Sequence, residues 1–377
     1  MASFARLCVF VGTVLIALFF GTAANSAAEQ DAAPTPAKQS EKKTKASPKK
    51  KDSAAKGAPA KDDDYREDFG ALPVEKSSLK LDLAVLGEVD DKPGLSYIRE
   101  RWHLAWRPGD PIDVYILKPR GVEKPPVILY LYSYPQDTDR FKSDSWGAYA
   151  TGSGAAAVGF VSAFTGHRLE FHAPKDNFFS QLEPALGSSV HDVQMILNYL
   201  STRKDLDMSR VGMFGQGSGG SIAILASAAD ARIKALDVLT PWGDWPTFVA
   251  QSSFIPSEDR LKINTPDYLA KLAPLDPVAW LSKVKAKSLR IQNVRSDNHM
   301  PDAAQERLEA VAPDTAEINQ YGDRAALVPA AANGRLLAWI HSQFQPDAKP
   351  QESTEKSQRI HFFPAKARTT SSINEIH

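Results

Sequence analysis

The residues best placed to do chemistry lie in one stretch, Arg210-Val-Gly-Met-Phe-Gly-Gln-Gly-Ser-Gly-Gly220. A short apolar run ends there in a glycine-rich turn with one hydroxyl, Ser218, and leads straight into a helix of small residues. Glycines allow close backbone approach, and a helix start offers N–H groups without intrahelical partners. Gly215, Gly217 and Gly220 also spell G-x-G-x-x-G, the spacing that sets a pyrophosphate on a helix N-terminus in dinucleotide-binding oxidoreductases. That chemistry asks for an acidic residue about 20 positions later. Leu239-Thr240-Pro241 stands there instead. Thiol chemistry and disulfides are excluded once the N-terminal segment is removed, because the single cysteine is Cys8. No His-x-x-x-His pair occurs, and His167 and His172 are five apart on an expected loop, so neither metal nor other cofactor is expected.

The elements that must position this turn follow from hydrophobic periodicity. Trp102, Leu104 and Trp106 alternate, as do Val114 and Ile116 in a run opening at Ile112, and both read as strands with one buried face. Pro126–Tyr134 and Ala155–Phe164 are continuous apolar runs, the pattern of strands covered on both faces. Ser188 or Ser189 is placed to cap a helix whose stripe is Val190, Val193, Ile196, Leu197 and Leu200. Arg210–Phe214 reads as a buried strand and Ser218–Ala229 as the helix after it. Ile233–Leu239, Ser288–Val294 and Ala316–Gln320 read as further strands, with helices starting near Pro301 and Ala330. Strands alternating with helices imply an α/β domain over residues 67–345, with a mostly parallel sheet and helices on both faces. Trp242, Trp245, Trp280, Phe248 and Phe254 crowd residues 241–285, where they either pack together or line a ligand site.

The order helix, linker, strand, glycine turn, helix resembles the nucleophile region of α/β-hydrolases, in particular the dienelactone hydrolase, acetyl-esterase and prolyl-oligopeptidase-like branch. The resemblance covers most of Ile112–Phe344 and marks residues 241–285 as a short cap insertion. It implies a G-x-S-x-G turn whose serine is exposed on a strained bend, with an oxyanion hole at the following helix. Gly215-Gln-Gly-Ser-Gly219 aligns with that motif so that Gly217 takes the nucleophile's place and Ser218 comes one residue late. The family's acid falls on Asp297. Its histidine belongs near Tyr321–Ala326, which holds none; His299 and His167 are the candidate substitutes. On the oxyanion side Tyr132-Ser133 replaces the His-Gly common in relatives, and the N–H groups near Gly217 and Gly219 complete that side. Two functions follow. In one the triad is degraded or remodelled, and the domain binds a small-molecule, ester or peptide ligand or serves as a scaffold. In the other Ser218 attacks an acyl carbon, His299 or His167 takes its proton and Asp297 orients that imidazole.

The ends of the 377-residue chain are read separately. Arg6, the apolar run Leu7–Phe20 and the small residues Gly21–Ala28 form the three parts of a signal peptide, residues 1–28, which implies export to a periplasm or out of the cell. From Glu29 to Lys61 there is no Val, Ile, Leu, Met, Phe, Trp or Tyr, and Lys38–Lys61 carries nine lysines. Residues 29–66 are therefore expected to form a disordered tether, with at most weak contact to an anionic surface. The whole chain has 45 basic and 45 acidic side chains, which argues against a specific nucleic-acid partner. Residues 346–377 read as a polar tail with one apolar patch, Ile360-His-Phe-Phe363.

Overall fold

The apolar run that opens at Pro126 forms a strand buried along its whole length in the computed structural model, which describes residues 65–134, 138–165, 168, 178–297, 299–332 and 334–345. The signal segment, the tether as far as residue 64, His167, His172 and the C-terminal patch lie outside the described residues. The run is β4 (Pro126–Leu131) of a nine-stranded sheet. The others are β1 (Leu83–Asp90), β2 (Tyr97–Ala105), β3 (Ile112–Pro119), β5 (Ala156–Phe160), β6 (Asp207–Gln216), β7 (Ile233–Leu239), β8 (Ser288–Val294) and β9 (Glu317–Tyr321). Their order is β1-β2-β3-β5-β4-β6-β7-β8-β9. The first three pairings are antiparallel and the remaining five parallel.

Strand alternation divides β4 between two cores. Val127, Leu129 and Leu131 face α2 (Leu182–Ser201) and α3 (Ser218–Ala229), joining Val190, Val193, Ile196 and Ile222. Ile128, Tyr130 and the following Tyr132 face the other way. There they meet Trp146 of α1 (Asp144–Thr151), Leu327 of α9 (Arg324–Ala332) and Leu336 and Ile340 of α10 (Arg335–Ser342). Each fully buried leucine or isoleucine here is worth about 2 kcal/mol of transfer free energy. Between β7 and β8 the chain makes four short helices, α4 (Trp245–Gln251), α5 (Ser257–Ile263), α6 (Pro266–Leu272) and α7 (Pro277–Trp280); α8 (Asp302–Val311) follows β8.

Several boundaries differ from the expectations. The helix expected from Ser188 or Ser189 begins six residues earlier, at Leu182, because Pro184 is tolerated in a first turn. Ser188 Oγ bonds back to Pro184 O (2.7 Å) within the helix, and Ser189 Oγ accepts from Ala163 N (3.1 Å) on the loop after β5, so neither serine caps the helix. The helix expected near Ala330 is two helices, with Pro329 inside the first and Gly334 (φ +69°) before the second. β4 stops at Leu131 and β5 at Phe160, leaving the ends of both apolar runs in loops. β1 had no counterpart in the periodicity.

The chain before β1 is strapped along α2. Glu67, buried against the domain, takes Arg107 Nε and Nη2 on its two oxygens (2.5 Å each), and His191 Nδ1 lies 2.7 Å from Oε1. His191 Nε2 and Gln194 Nε2 donate to Ala71 O and Leu72 O (2.7 Å each), and Gln194 Oε1 accepts from Val74 N (3.0 Å). Behind Glu67 the cluster continues through Asp192, Arg168 and Asp110. Burial alone would push the Glu67 carboxyl up, but the hydrogen bonds from Arg107 and His191 outweigh it and hold it at about 2. A carboxyl depressed in the folded state stabilises above its unfolded value of about 4.5 and loses that contribution as pH falls towards 2. Unfolding titrations should therefore show roughly 3 kcal/mol lost over that window, and Glu67→Gln should flatten it.

Candidate active site

Parallel register brings the C-terminal ends of the central strands level. Leu131 pairs with Gly215, Gln216 with Leu239, Leu239 with Gln292, and Val294 with Tyr321. The residues just beyond these strands, Tyr132–Tyr134, Gly217, Thr240–Trp242, Arg295–His299 and Gly322–Arg324, thus line one edge of the sheet, where open α/β sheets place their sites.

Gly217 is the whole connection between β6 and α3. Its φ of +54° and ψ of −120° turn the strand into the helix in one residue, a conformation that side chains adopt only under strain. A Cβ built there would run into Ser133 Oγ and Cβ and lie 3.4 Å from Trp242 Nε1. The space a side chain at 217 would take is thus held by Ser133, from the loop after β4. Gly219 and Gly220 are close-packing positions: a Cβ on the first would strike Leu131 O, and one on the second would lie 2.8 Å from Pro241 Cβ. The turn is also tied down by Trp242 N, which donates to Gly217 O (3.2 Å), and by Ser221 Oγ, which donates to Trp242 O (2.7 Å).

Ser218 is 2% exposed, and its Oγ accepts from Tyr134 N (3.0 Å). The hydroxyl thus satisfies the backbone N–H of Tyr134, on the loop after β4. Among the described residues it makes no hydrogen bond to Asp297 or His299. Tyr132 belongs to the opposite core. Burial pushes its phenol up, its oxygen accepts from Trp146 Nε1 (3.0 Å), and the Arg140 guanidinium lies 3.7 Å from its ring centre. Of the Tyr132-Ser133 pair, Ser133 is the one that reaches the turn.

Asp297 and His299 do meet, but through the backbone: Asp297 Oδ1 accepts from His299 N (3.1 Å). The same oxygen takes Arg324 Nη2 (3.1 Å), which also lies 3.4 Å from His299 Nδ1. Arg324 opens α9 directly after β9, inside the Tyr321–Ala326 segment where the resemblance puts a histidine. An imidazole is the group the resemblance asks for in those six residues, and a guanidinium is the group they supply. The exposed His299 ring points towards Phe254 (ring centres 5.8 Å apart).

Phe254 joins these parts. Its ring lies 5.1 Å from Trp242, 6.0 Å from Tyr134 and 6.0 Å from Phe179. Trp242, Trp245 and Phe248 are buried, with Trp242 stacked near Phe248 (5.2 Å). Partly exposed Trp280 donates Nε1 to Pro274 O (2.8 Å). A cavity of about 230 Å³ lies elsewhere, beside the N-terminal strap, lined by Tyr65, Phe69, Arg107, Asp110 and Ser188 among others.

No family model matches the chain and no curated protein does. Solved structures do. An acetyl xylan esterase from a Paenibacillus species is 18% identical, with a TM-score of 0.52 over 70% of this chain and 92% of that one. A second acetyl xylan esterase, from a Thermoanaerobacterium species, is 14% identical with a TM-score of 0.51 over 69% and 89%. The acylaminoacyl peptidase of Pyrococcus horikoshii is 14% identical with a TM-score of 0.50 over 70% and 50%. Identities this low speak for the fold: a mostly parallel sheet flanked by helices, in the α/β-hydrolase arrangement.

Gly217→Ala should cost about 2 kcal/mol or more in denaturant unfolding, from positive φ and the collision with Ser133 together. Ser133→Gly in the same chain should recover the part of that loss due to the collision and leave the φ penalty at position 217 in place. Strict additivity of the two substitutions would contradict the contact.

Proposed function

We propose that this chain, which has the α/β-hydrolase fold, is an exported protein whose catalytic centre is remodelled for binding or scaffolding instead of hydrolysis. The observation that carries the reading is Gly217 in the bend between β6 and α3, with Ser133 in the space of the missing side chain. A nucleophile requires an exposed oxygen beside a base. Ser218 is buried and spends its oxygen on Tyr134 N. Arg324, a permanent cation, sits on Asp297 where a base would be needed. An arginine there can hold the carboxylate but cannot accept a proton at neutral pH.

The aromatic wall of Tyr134, Trp242 and Phe254 supports a small ligand with an apolar body, an ester or peptide fragment being the class to try first. The signal-like start supports export, and the lysine-rich tether supports weak attachment to an anionic surface. Neither feature favours a specific nucleic acid or calls for a cofactor.

An activated-serine probe such as a fluorophosphonate decides against the rival, a hydrolase using Ser218 with Asp297 and a displaced histidine. The mature protein should gain no mass after treatment, read by intact-mass spectrometry. Stoichiometric labelling that disappears in Ser218→Ala would establish the hydrolase. Labelling that disappears in Ser133→Ala instead would place a nucleophile on the loop after β4 and equally contradict the binding role.

A further inference from the structure

We propose that the cavity of about 230 Å³ beside the N-terminal strap binds an uncharged, largely apolar molecule of about ten non-hydrogen atoms, and that filling it locks the strap onto α2. The cavity is built from segments far apart in the chain. The strap brings Tyr65 and Phe69, α2 brings Pro184, Ala185 and Ser188, and Ala163 comes from the loop after β5. Arg107 and Asp110, between β2 and β3, belong to the same lining. The strap reaches this position because residue 187 is a glycine. A Cβ on Gly187 would run into Phe69 O and lie 2.7 Å from Phe69 Cα, so the two backbones meet one residue before Ser188. Glycine weakens a helix interior, and in α2 it marks the close approach of the strap.

The charges in the wall decide the class of ligand. Arg107 gives Nε and Nη2 to Glu67 and Nη1 to Asp192, while Asp110 takes Arg168 Nε (2.9 Å) and Nη2 (2.8 Å) on its two oxygens. Tyr65 O–H donates to Glu67 Oε2 (2.5 Å), and Ser188 Oγ donates to Pro184 O (2.7 Å). Cations and anions thus answer each other inside the protein, with the side chains of Arg107, Glu67 and Asp110 only 5%, 1% and 4% exposed. An ionised ligand would give up its hydration for groups already committed to one another. An apolar one gains by burying its surface against Phe69, Ala163, Pro184 and Ala185. Such a ligand touches the strap on one side and the domain on the other, so it binds the docked strap more tightly than the undocked one. By linkage, it favours docking by the same factor.

The test is isothermal titration calorimetry of the full mature chain with indole, and with indole-3-acetate as its charged analogue. Indole should bind with a Kd below about 1 mM, and indole-3-acetate at least about tenfold more weakly. Ala185→Leu, which fills the cavity, should weaken indole binding about tenfold or more without loss of stability. Gly187→Ala should weaken it similarly by lifting Phe69, although alanine favours a helix. Saturating indole should slow hydrogen exchange at Val74 N, which Gln194 holds, by about threefold or more. Loss of binding in Phe254→Ala, with both α2 variants binding like the parent, would assign indole to the aromatic wall at the strand ends and overturn the proposal. An absence of heat at about 5 mM indole, equal affinity for the charged analogue, or unchanged exchange at Val74 would overturn it as well.

Discussion

One backbone conformation governs the functional edge of this molecule: the passage from β6 to α3 through Gly217 alone. Positive φ at that residue aims the first turn of α3 at the end of β4, and the missing side chains at Gly219 and Gly220 let it approach Leu131 and Pro241. Ser133 enters the space above Gly217, Ser218 holds Tyr134 N, and Trp242 is tied to Gly217 O. In a serine hydrolase the strain of this bend exposes a nucleophile. In this chain a glycine makes the bend, so its strain falls on the one residue type that bears it easily.

The second constraint is charge. Asp297 is 14% exposed at its side chain and would be costly to leave unpaired; Arg324 supplies the partner. At the far side of the sheet Glu67, Arg107, Asp192, Arg168 and Asp110 form a cluster almost without solvent contact, with His191 bonded at its edge. Losing one member would strand the others in a low-dielectric surrounding, which makes such a cluster a strict register for the segment it holds. It fixes the strap through Glu67 while Gln194 reads the backbone of Leu72 and Val74.

Much of the fold was legible from the residues. The boundaries of α3, β7 and β8 coincide with the expected ones because apolar runs there begin and end abruptly at polar residues. β1 was not legible, since its apolar residues face solvent and follow no period that a core imposes. Ser188 and Ser189 misled for a physical reason: serine's short hydroxyl serves equally to cap a helix and to bond back within one. At the site, the glycine turn between β6 and α3 could be read from spacing, but the contacts of Ser133 and Arg324 could not. Both act across strands, through contacts between segments far apart in the chain. The segment Tyr321–Ala326, where the resemblance puts a histidine, holds instead the guanidinium that pairs with Asp297.

The central claim, a hydrolase fold without hydrolysis, is tested most directly by turnover of an activated aryl ester such as 4-nitrophenyl acetate. The mature protein, its Ser218→Ala variant and its Asp297→Asn variant should all give the spontaneous rate, at every pH from 6 to 9. A saturable rate in the parent that both substitutions abolish would contradict the account and make Ser218 and Asp297 parts of a working catalytic site.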